Sequence, residues 1–163
     1  MKFNTRKLVF GGVIGGVYAA LTLALAPISY GEVQFRIAEA LTVLPFFSVF
    51  STWGLFIGCL ISNILSPIGP LDMIFGSLAT LIAAIMTYYI GKSNLRFKRF
   101  IAPLPAVVVN AVVVGMLISY SANIPLIIPA LQVGFGQLVV CYLLGLPLLI
   151  VIEKNEKLKS YLK

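Results

Sequence analysis

Long uncharged and strongly apolar stretches dominate the chain. Residues 8–30 and 41–71 contain no charged side chain. A helix that crosses the hydrocarbon core of a bilayer needs only about 20 predominantly apolar residues. The pattern therefore predicts an all-α integral membrane protein, with residues 1–163 forming a single transmembrane domain.

Four segments are each long enough for one membrane helix, and one further apolar stretch is ambiguous. The four predicted helices cover residues 8–26, 72–91, 101–119 and 126–152. Residues 36–65 could form one strongly tilted helix, or two short helices broken near Pro45 or within 48–54.

Basic residues outnumber acidic residues by twelve to five, but their positions argue against nucleic-acid binding. Eleven of the twelve lie in three clusters: Lys2, Arg6 and Lys7; Lys92, Arg96, Lys98 and Arg99; Lys154, Lys157, Lys159 and Lys163. Lys and Arg concentrate in the cytoplasmic loops of membrane proteins. Only a split of residues 36–65 into two helices puts all three clusters on one side. We therefore expect six transmembrane helices with both termini in the cytoplasm.

The chemistry available within this apolar chain is limited. The sequence has no histidine, and Cys59 and Cys141 lie far apart inside apolar segments, so it predicts no metal site, no disulfide and no cofactor. An intramembrane enzyme would need paired acid–base groups or metal ligands at membrane depth. An enzyme is therefore the weakest functional class for this chain.

One short segment carries charges of both signs next to the second predicted helix. Glu32, Arg36 and Glu39 are spaced four and three residues apart, so they would share one face of a helix. An ionised side chain inside a bilayer costs about 2.5–3.5 kcal/mol, so it needs a partner or a function. Glu39, the deepest of the three, is the best candidate to contact a ligand. The alternative is a self-neutralised cluster, in which one negative charge is still left over.

Other polar residues fall near the outer ends of the predicted helices. Asp72 begins the fourth helix, where capping of backbone amides is the favoured interpretation and ligand contact is the alternative. Asn63, Gln132 and Gln137 could supply amide contacts, although hydrogen bonds between helices would explain each of them. Asn110, near the middle of its helix, is expected to be structural.

Small residues form a stripe along the first helix. They are Gly12, Gly16, Ala20 and Ala24, with Gly11, Gly15 and Ala19 beside them. A spacing of four puts the stripe on one helical face, where another backbone can approach closely. Packing against the chain's own helices is the favoured interpretation, and docking of a different membrane subunit is the alternative.

Several of these segments resemble one known family. Residues 33–45, VQFRIAEALTVLP, resemble the hallmark segment of the QueT family, and 58–63, 69–72 and 76–80 are similar to its second block. The resemblance runs in the same order over nearly the whole chain. QueT proteins are substrate-binding S components of energy-coupling factor (ECF) transporters and are assigned to queuosine precursors.

The resemblance implies a six-helix protein of the bacterial plasma membrane that binds its solute in the outward half. Small residues of helix 1 commonly dock S components onto a shared transmembrane coupling subunit with two ATPases. Here Gly16, Ala20 and Ala24 fit that pattern. S components are thought to topple in the membrane and so carry the ligand inward.

The resemblance also implies a set of residues for a deazaguanine ligand. We expect Glu39 to pair with the edge of the base, Arg36 to orient it, and amides and aromatic rings to complete the site. The full expected set is Glu39, Arg36, Gln34, Asn63, Asp72, Gln132, Gln137, Tyr30 and Phe35. An S component for thiamine, riboflavin or cobalamin, and a structural membrane subunit without a ligand, remain alternatives.

Overall fold

The computed structural model describes residues 5–162, without the side chains of Ser160 and Tyr161, and this part of the chain is helical with no strand. Its six main helices are α1 Thr5–Ala24, α2 Ile37–Phe46, α3 Val49–Asn63, α4 Asp72–Lys92, α5 Leu104–Ala122 and α6 Ile127–Lys154. Three short helices, Ala26–Ser29, Lys98–Ile101 and Glu156–Leu162, join or follow them. Lys2 and Lys163, which belong to the basic clusters seen in the sequence, lie outside the described residues.

Four of these helices are long and apolar enough to cross a membrane. They are α1, α4, α6 and the segment Lys98–Ala122, which contains α5. The four long predicted helices are therefore confirmed. All four agree with the predicted bounds within three residues at each end, and the first begins at Thr5 instead of residue 8.

The ambiguous stretch forms two short helices, as the charge pattern predicted. The break lies at Phe47 and Ser48, and Pro45 remains inside α2. α2 is a ten-residue 3₁₀ helix, which rises about 2.0 Å per residue and so spans about 20 Å. α3 has fifteen residues and spans about 22 Å. Each is shorter than a hydrocarbon core of about 30 Å, so the number of membrane crossings stays a prediction.

Compared with a soluble protein, the outer surface is more apolar and the interior contains more polar side chains. Large apolar side chains such as Leu131, Leu143 and Val151 are more than half exposed on the outside. Polar side chains such as Thr80 and Asn110 are buried inside. A surface of this kind suits a lipid environment, where apolar groups carry no cost of exposure.

The described residues of the basic clusters lie together at one end of the bundle, which we call the basic end. Arg99 forms an ion pair with Glu153 at 2.5 Å, and the Lys98 ammonium donates to the Gly91 carbonyl at 3.2 Å. α1 runs parallel to α3, since Gly11 packs on Phe50 and Gly15 on Gly54 and Gly58. α1 therefore also begins at the basic end. The opposite end, which we call the loop end, contains the connections 25–36 and 64–71.

Glycines set the close approach of α1 to α3. A Cβ added at Gly15 would lie 2.7 Å from the Gly54 carbonyl oxygen, and one added at Gly54 would collide with the backbone of Gly11. Gly12 and Gly16 have nothing within 4 Å of such a Cβ. For Gly12, Gly16, Ala20 and Ala24 the favoured interpretation, packing against the chain's own helices, is therefore wrong, whereas the neighbouring Gly11 and Gly15 do make such a contact. The stripe itself, Gly12, Gly16, Ala20 and Ala24, is exposed.

The contact between α1 and α3 predicts opposite effects for two alanine substitutions. Gly54→Ala should lower the free energy of unfolding by about 1–3 kcal/mol, because the backbone of α1 must move away. Gly12→Ala faces open space and should be neutral or stabilising by up to about 1 kcal/mol. Denaturation in mixed detergent micelles measures both values, and equal effects of the two variants would contradict this packing.

Candidate functional site

A cluster of buried polar side chains lies towards the loop end, between α1, α2, α3 and α4. We call it the polar cluster, and every member is less than 10% exposed. Its members are Tyr18, Arg36, Glu39, Cys59, Asn63, Ser66, Asp72 and Thr80. Ionised groups at such depth are retained in membrane proteins where they serve a function.

Helix ends supply most of the cluster. Arg36 directly precedes α2, and Glu39 lies in its first turn. Asn63 is the last residue of α3, and Asp72 is the first residue of α4. α4 starts with a π-helical turn, Asp72–Gly76, a distortion that is frequent at functional sites.

Gly76 is the last residue of that turn, at a position where no side chain would fit. A Cβ added at Gly76 would collide with the Asp72 carboxylate and would lie 3.0 Å from the Asn63 amide nitrogen. The glycine thus lets the two polar side chains of the cluster lie directly against the α4 backbone.

Glu39 has one engaged and one unengaged carboxylate oxygen. The Tyr18 hydroxyl donates to Oε1 at 2.5 Å, whereas Oε2 has no hydrogen-bond partner among the described residues. The Asn110 side chain also faces this carboxylate. Asn110, expected to be purely structural, is therefore next to the candidate site. The Glu39 carbonyl accepts a hydrogen bond from the Thr42 hydroxyl at 2.6 Å, which secures the first turn of α2.

Asp72 likewise has one carboxylate oxygen with partners and one without. The Ser66 hydroxyl donates to Oδ2 at 2.6 Å, and the Arg36 Nη2 lies 3.9 Å from the same oxygen. Oδ1 has no partner within the described chain. The expected capping of backbone amides by Asp72 is wrong, because its carboxylate faces Ser66 and Arg36 instead.

Asn63 connects α3 with the first turn of α4. Its amide nitrogen donates to the Asp72 carbonyl at 3.1 Å and lies 3.4 Å from the Cys59 sulfur. Its amide oxygen Oδ1 has no partner in the described part of the protein. The Cys59 sulfur, in turn, also accepts from the Thr80 hydroxyl at 3.3 Å.

The cluster therefore offers several polar atoms that are buried and unpaired. They are Oε2 of Glu39, Oδ1 of Asp72, Oδ1 of Asn63, and Nε and Nη2 of Arg36. A buried polar atom without a partner costs about 1–3 kcal/mol, and more if it is charged. The two carboxylates and one guanidinium also leave one negative charge uncompensated when all three are ionised. A guest with hydrogen-bond donors and one acceptor would remove these costs.

A small pocket adjoins the cluster at the loop end. It has a volume of about 190 Å³ and is lined by Tyr30, Gly31, Glu32, Gln34, Ser66, Pro67, Ile68 and Ile118. Pockets for drug-sized ligands usually measure roughly 300–1,000 Å³, so this one suits a smaller solute. Ser66 lines the pocket and also binds Asp72, and it thereby connects the pocket with the buried carboxylate.

Tyr30 and Gln34 form the wall between the pocket and Arg36. The Tyr30 hydroxyl donates to the Ser62 carbonyl at 2.6 Å, and the Arg36 guanidinium lies 5.4 Å from the centre of its ring. Partial burial raises the pKa of Tyr30, so its hydroxyl stays a neutral donor. Gln34 is buried and has a φ of 51°, a left-handed conformation that is uncommon for a residue other than glycine.

The remaining expected residues lie outside the cluster. Phe35 makes an edge-on contact with Phe135, whose side chain is mostly exposed, so its ring faces the periphery. Gln132 is half-buried, and no described contact joins it to the cluster. Gln137 is buried and accepts from the Cys141 thiol at 3.8 Å, which in turn lies 3.7 Å from the Glu39 carbonyl.

Four members of the cluster were not predicted as site residues from the sequence: Tyr18, Cys59, Ser66 and Thr80, the last of which lies in an apolar helix. Tyr18 is the one bulky polar residue in a stretch of small and apolar ones on α1, which could have marked it. Ser66 belongs to a turn rich in proline and glycine, and Cys59 lies in an apolar helix. Neither of these two gave a signal that distinguishes it from an ordinary loop or core residue.

Comparison with known proteins agrees with the motifs in these segments. The sequence profile of a family described as QueT transporter matches residues 8–154, which is most of the chain. The chain belongs to the QueT transporter family. The resemblance noted in the sequence is thereby confirmed.

One relative in this family is described as a queuosine precursor transporter QueT, from Lactococcus lactis subsp. cremoris (strain MG1363). It is 36% identical over 101 residues, which cover 61% of this chain. The aligned region spans 56% of that relative's own length, so little more than half of the relative is matched. No solved structure matches the chain.

The cluster predicts that loss of Arg36 is far more harmful than loss of an arginine in an exposed ion pair. Arg36→Gln leaves two buried carboxylates without a counter-ion and should lower the free energy of unfolding by about 3–5 kcal/mol. Arg99→Gln breaks an ion pair whose arginine is 56% exposed and should cost less than about 1 kcal/mol. Denaturation in mixed micelles separates the two, and equally small losses would mean that the buried groups are not ionised as assigned.

Proposed function

We propose that this chain is the substrate-binding S component of an ECF-type, ATP-driven importer of a queuosine precursor. The ligand would be a deazaguanine such as the aminomethyl form, or queuine. The observation that carries this proposal is the group of buried atoms without hydrogen-bond partners on Glu39, Asp72, Asn63 and Arg36, which Ser66 and Tyr30 connect with the pocket. The family assignment and the name of the relative support transport and this class of solute.

The unpaired atoms match the edge of a deazaguanine base. That edge presents a ring N–H and an exocyclic amine, both donors, next to a carbonyl acceptor. Oε2 of Glu39 and Oδ1 of Asp72 can accept from the donors, Oδ1 of Asn63 is a third acceptor, and the Arg36 guanidinium can donate to the carbonyl. A site built for such hydrogen bonds rejects analogues that lack them strongly, because its own buried groups would stay unpaired.

The charge of the cluster favours a cationic member of this class. When Glu39 and Asp72 are ionised, their two negative charges face the single positive charge of Arg36, and the exposed Glu32 at the pocket adds a third negative charge. An aminomethyl group brings one positive charge. The aminomethyl base would therefore bind more tightly than a neutral deazaguanine of similar size.

The other expected residues take more peripheral roles. Tyr30 would stack on the base, in place of Phe35, because its ring lines the pocket next to Arg36. Gln34 would contact the solute from the pocket wall. Gln137 would not touch the solute but would support Glu39 through the Cys141 thiol, which lies between them. Gln132 would contact the solute only if α6 moves on binding.

The proposed location is the bacterial plasma membrane, crossed six times, with both termini in the cytoplasm. The collection of basic residues at one end of the bundle supports this orientation. The polar cluster and the pocket would then lie in the outward half, where a solute arrives. α2 and α3 would cross a locally thinner region of the bilayer, since each spans about 20 Å.

Docking onto the coupling subunit would use the exposed stripe of α1. Gly16, Ala20 and Ala24 lie on the outside of the bundle, and Gly16 has open space beside it. Small residues allow the close helix approach that drives association within a bilayer. The coupling subunit and two ATPases would supply the energy, and toppling of the loaded S component would carry the solute inward.

Calorimetric titration of the purified protein tests the ligand. We expect binding of the aminomethyl deazaguanine with a submicromolar Kd. Glu39→Gln should weaken it by at least about 100-fold, because a charge-assisted hydrogen bond to a buried group is lost. Glu156→Gln, at the most exposed carboxylate of the basic end, is the matched control and should bind like the wild type.

Two results would count against the assignment. One is a Glu39→Gln variant that binds as tightly as the wild type. The other is tight binding of thiamine, riboflavin or cobalamin with no response to deazaguanines, which would keep the S-component class and change the solute. A chain to which no solute binds, and which no solute stabilises against heat, would be a structural subunit, since specific binding must raise Tm.

Uptake by cells tests the docking face separately from the binding site. Ala20→Leu should abolish uptake through the ECF complex and leave the Kd of the isolated protein unchanged, because the added bulk blocks close helix approach. Val151→Leu, on an exposed face of α6, is the control and should preserve uptake. Normal uptake by Ala20→Leu would place the coupling subunit on another face.

A further inference from the structure

Each of the two buried carboxylates accepts a hydrogen bond from one hydroxyl group, and the Asn110 side chain also faces the carboxylate of Glu39. Tyr18 donates to Oε1 of Glu39 at 2.5 Å, and Ser66 donates to Oδ2 of Asp72 at 2.6 Å. In both cases the second carboxylate oxygen is buried and unpaired. Each carboxylate thus keeps a single free acceptor.

The two hydroxyls come from parts of the fold outside α2 and α4. Tyr18 projects from α1 and is fully buried, with the Thr22 hydroxyl bonded to its carbonyl at 2.9 Å. Ser66 comes from the connection 64–71, where its oxygen also accepts from the Ile68 amide at 3.3 Å. Both donors are therefore fixed by their own surroundings, so they can fix the orientation of the carboxylates they contact.

The orientation of a carboxylate decides what it can recognise. A freely rotating carboxylate presents up to four lone-pair sites and adapts to many donor patterns. One that is held at a single oxygen presents its other oxygen in a fixed direction. It then penalises a ligand that lacks a donor in that direction, because the oxygen stays buried without a partner.

We propose that Tyr18 and Ser66 are specificity-determining positioning residues. Each fixes one carboxylate so that the ring N–H and the exocyclic amine of the base edge are read by two separate carboxylates. This inference rests on the proposed function, since it concerns how the same site selects its solute. Neither residue needs to touch the base edge itself.

The proposal predicts a loss of selectivity instead of a general loss of affinity. Without its hydroxyl, a carboxylate can turn towards another partner such as Arg36, so an analogue that lacks one donor no longer leaves the fixed oxygen unpaired. The correct base then loses its advantage over an analogue that lacks one donor. A merely structural role would weaken the correct base and the analogues by the same factor.

The test compares Kd values of three ligands by calorimetry on the whole chain in detergent. The ligands are 7-deazaguanine, 7-deazahypoxanthine, which lacks the exocyclic amine, and 1-methyl-7-deazaguanine, which lacks the ring N–H. Tyr18→Phe and Ser66→Ala should each reduce the discrimination against one of the two analogues by about tenfold or more. The analogue affected identifies the donor that Glu39 or Asp72 meets.

Matched controls remove hydroxyls of the same types far from the cluster. Tyr142→Phe loses a hydroxyl that donates to the Phe100 carbonyl, and Ser93→Ala loses one that donates to the Ile90 carbonyl, both at the basic end. Both controls should keep the wild-type ratios of Kd. If Tyr18→Phe fails to fold, the ratios of Ser66→Ala alone decide the test.

The outcomes separate this inference from the proposed function. If the wild type discriminates and neither variant changes either ratio, the positioning role is overturned and the proposed function stands. If the wild type binds 7-deazaguanine and both analogues equally, recognition of the base edge by the cluster is overturned and this inference with it. If it binds neither these ligands nor the aminomethyl deazaguanine, the proposed function is overturned as well.

Discussion

The structure depends on the burial of one guanidinium and two carboxylates inside an apolar helical bundle. Removal of such groups from water costs several kcal/mol per ion, and their mutual attraction repays it only when the remaining lone pairs and protons are bonded. Arg36 and Asp72 approach only to 3.9 Å, and each carboxylate keeps an oxygen without a partner. The free bundle therefore carries an unfavourable interaction that a solute of matching polarity can relieve. Binding and stability are thereby coupled in the same few side chains.

α1 joins this site to the outside of the protein. Gly11 and Gly15 bring its inner face against α3, and Tyr18 on the same inner side reaches Glu39. Its outer face carries Gly16 and Ala20, which remain exposed. Any change in the Tyr18–Glu39 contact on loading therefore acts on the helix that would dock. The proposed recognition and docking would therefore use opposite faces of one helix.

The sequence alone predicted the long helices, the break within 36–65, and the family, because hydrophobic runs, basic clusters and local motifs are properties of short segments. It also predicted that Arg36, Glu39 and Asn63 belong together, since charged and amide groups are rare in such segments. It included Asp72 in the expected site but wrongly favoured capping for it, and it gave Phe35 a stacking role although the ring faces the periphery, because a carboxylate at a helix start and a ring beside an arginine have several possible partners. Tyr18 and Ser66 were missed because their role depends on a contact between residues that are distant in the chain. No local pattern records such a contact.

The central claim is that a guest molecule completes the buried cluster. An experimental map of the protein bound to an aminomethyl deazaguanine tests it most directly. We expect ligand density within hydrogen-bond distance of the free oxygens of Glu39 and Asp72, with the ligand carbonyl towards Arg36. Density confined to the outer pocket beside Tyr30 and Ser66, with the cluster unchanged beneath it, would contradict the account.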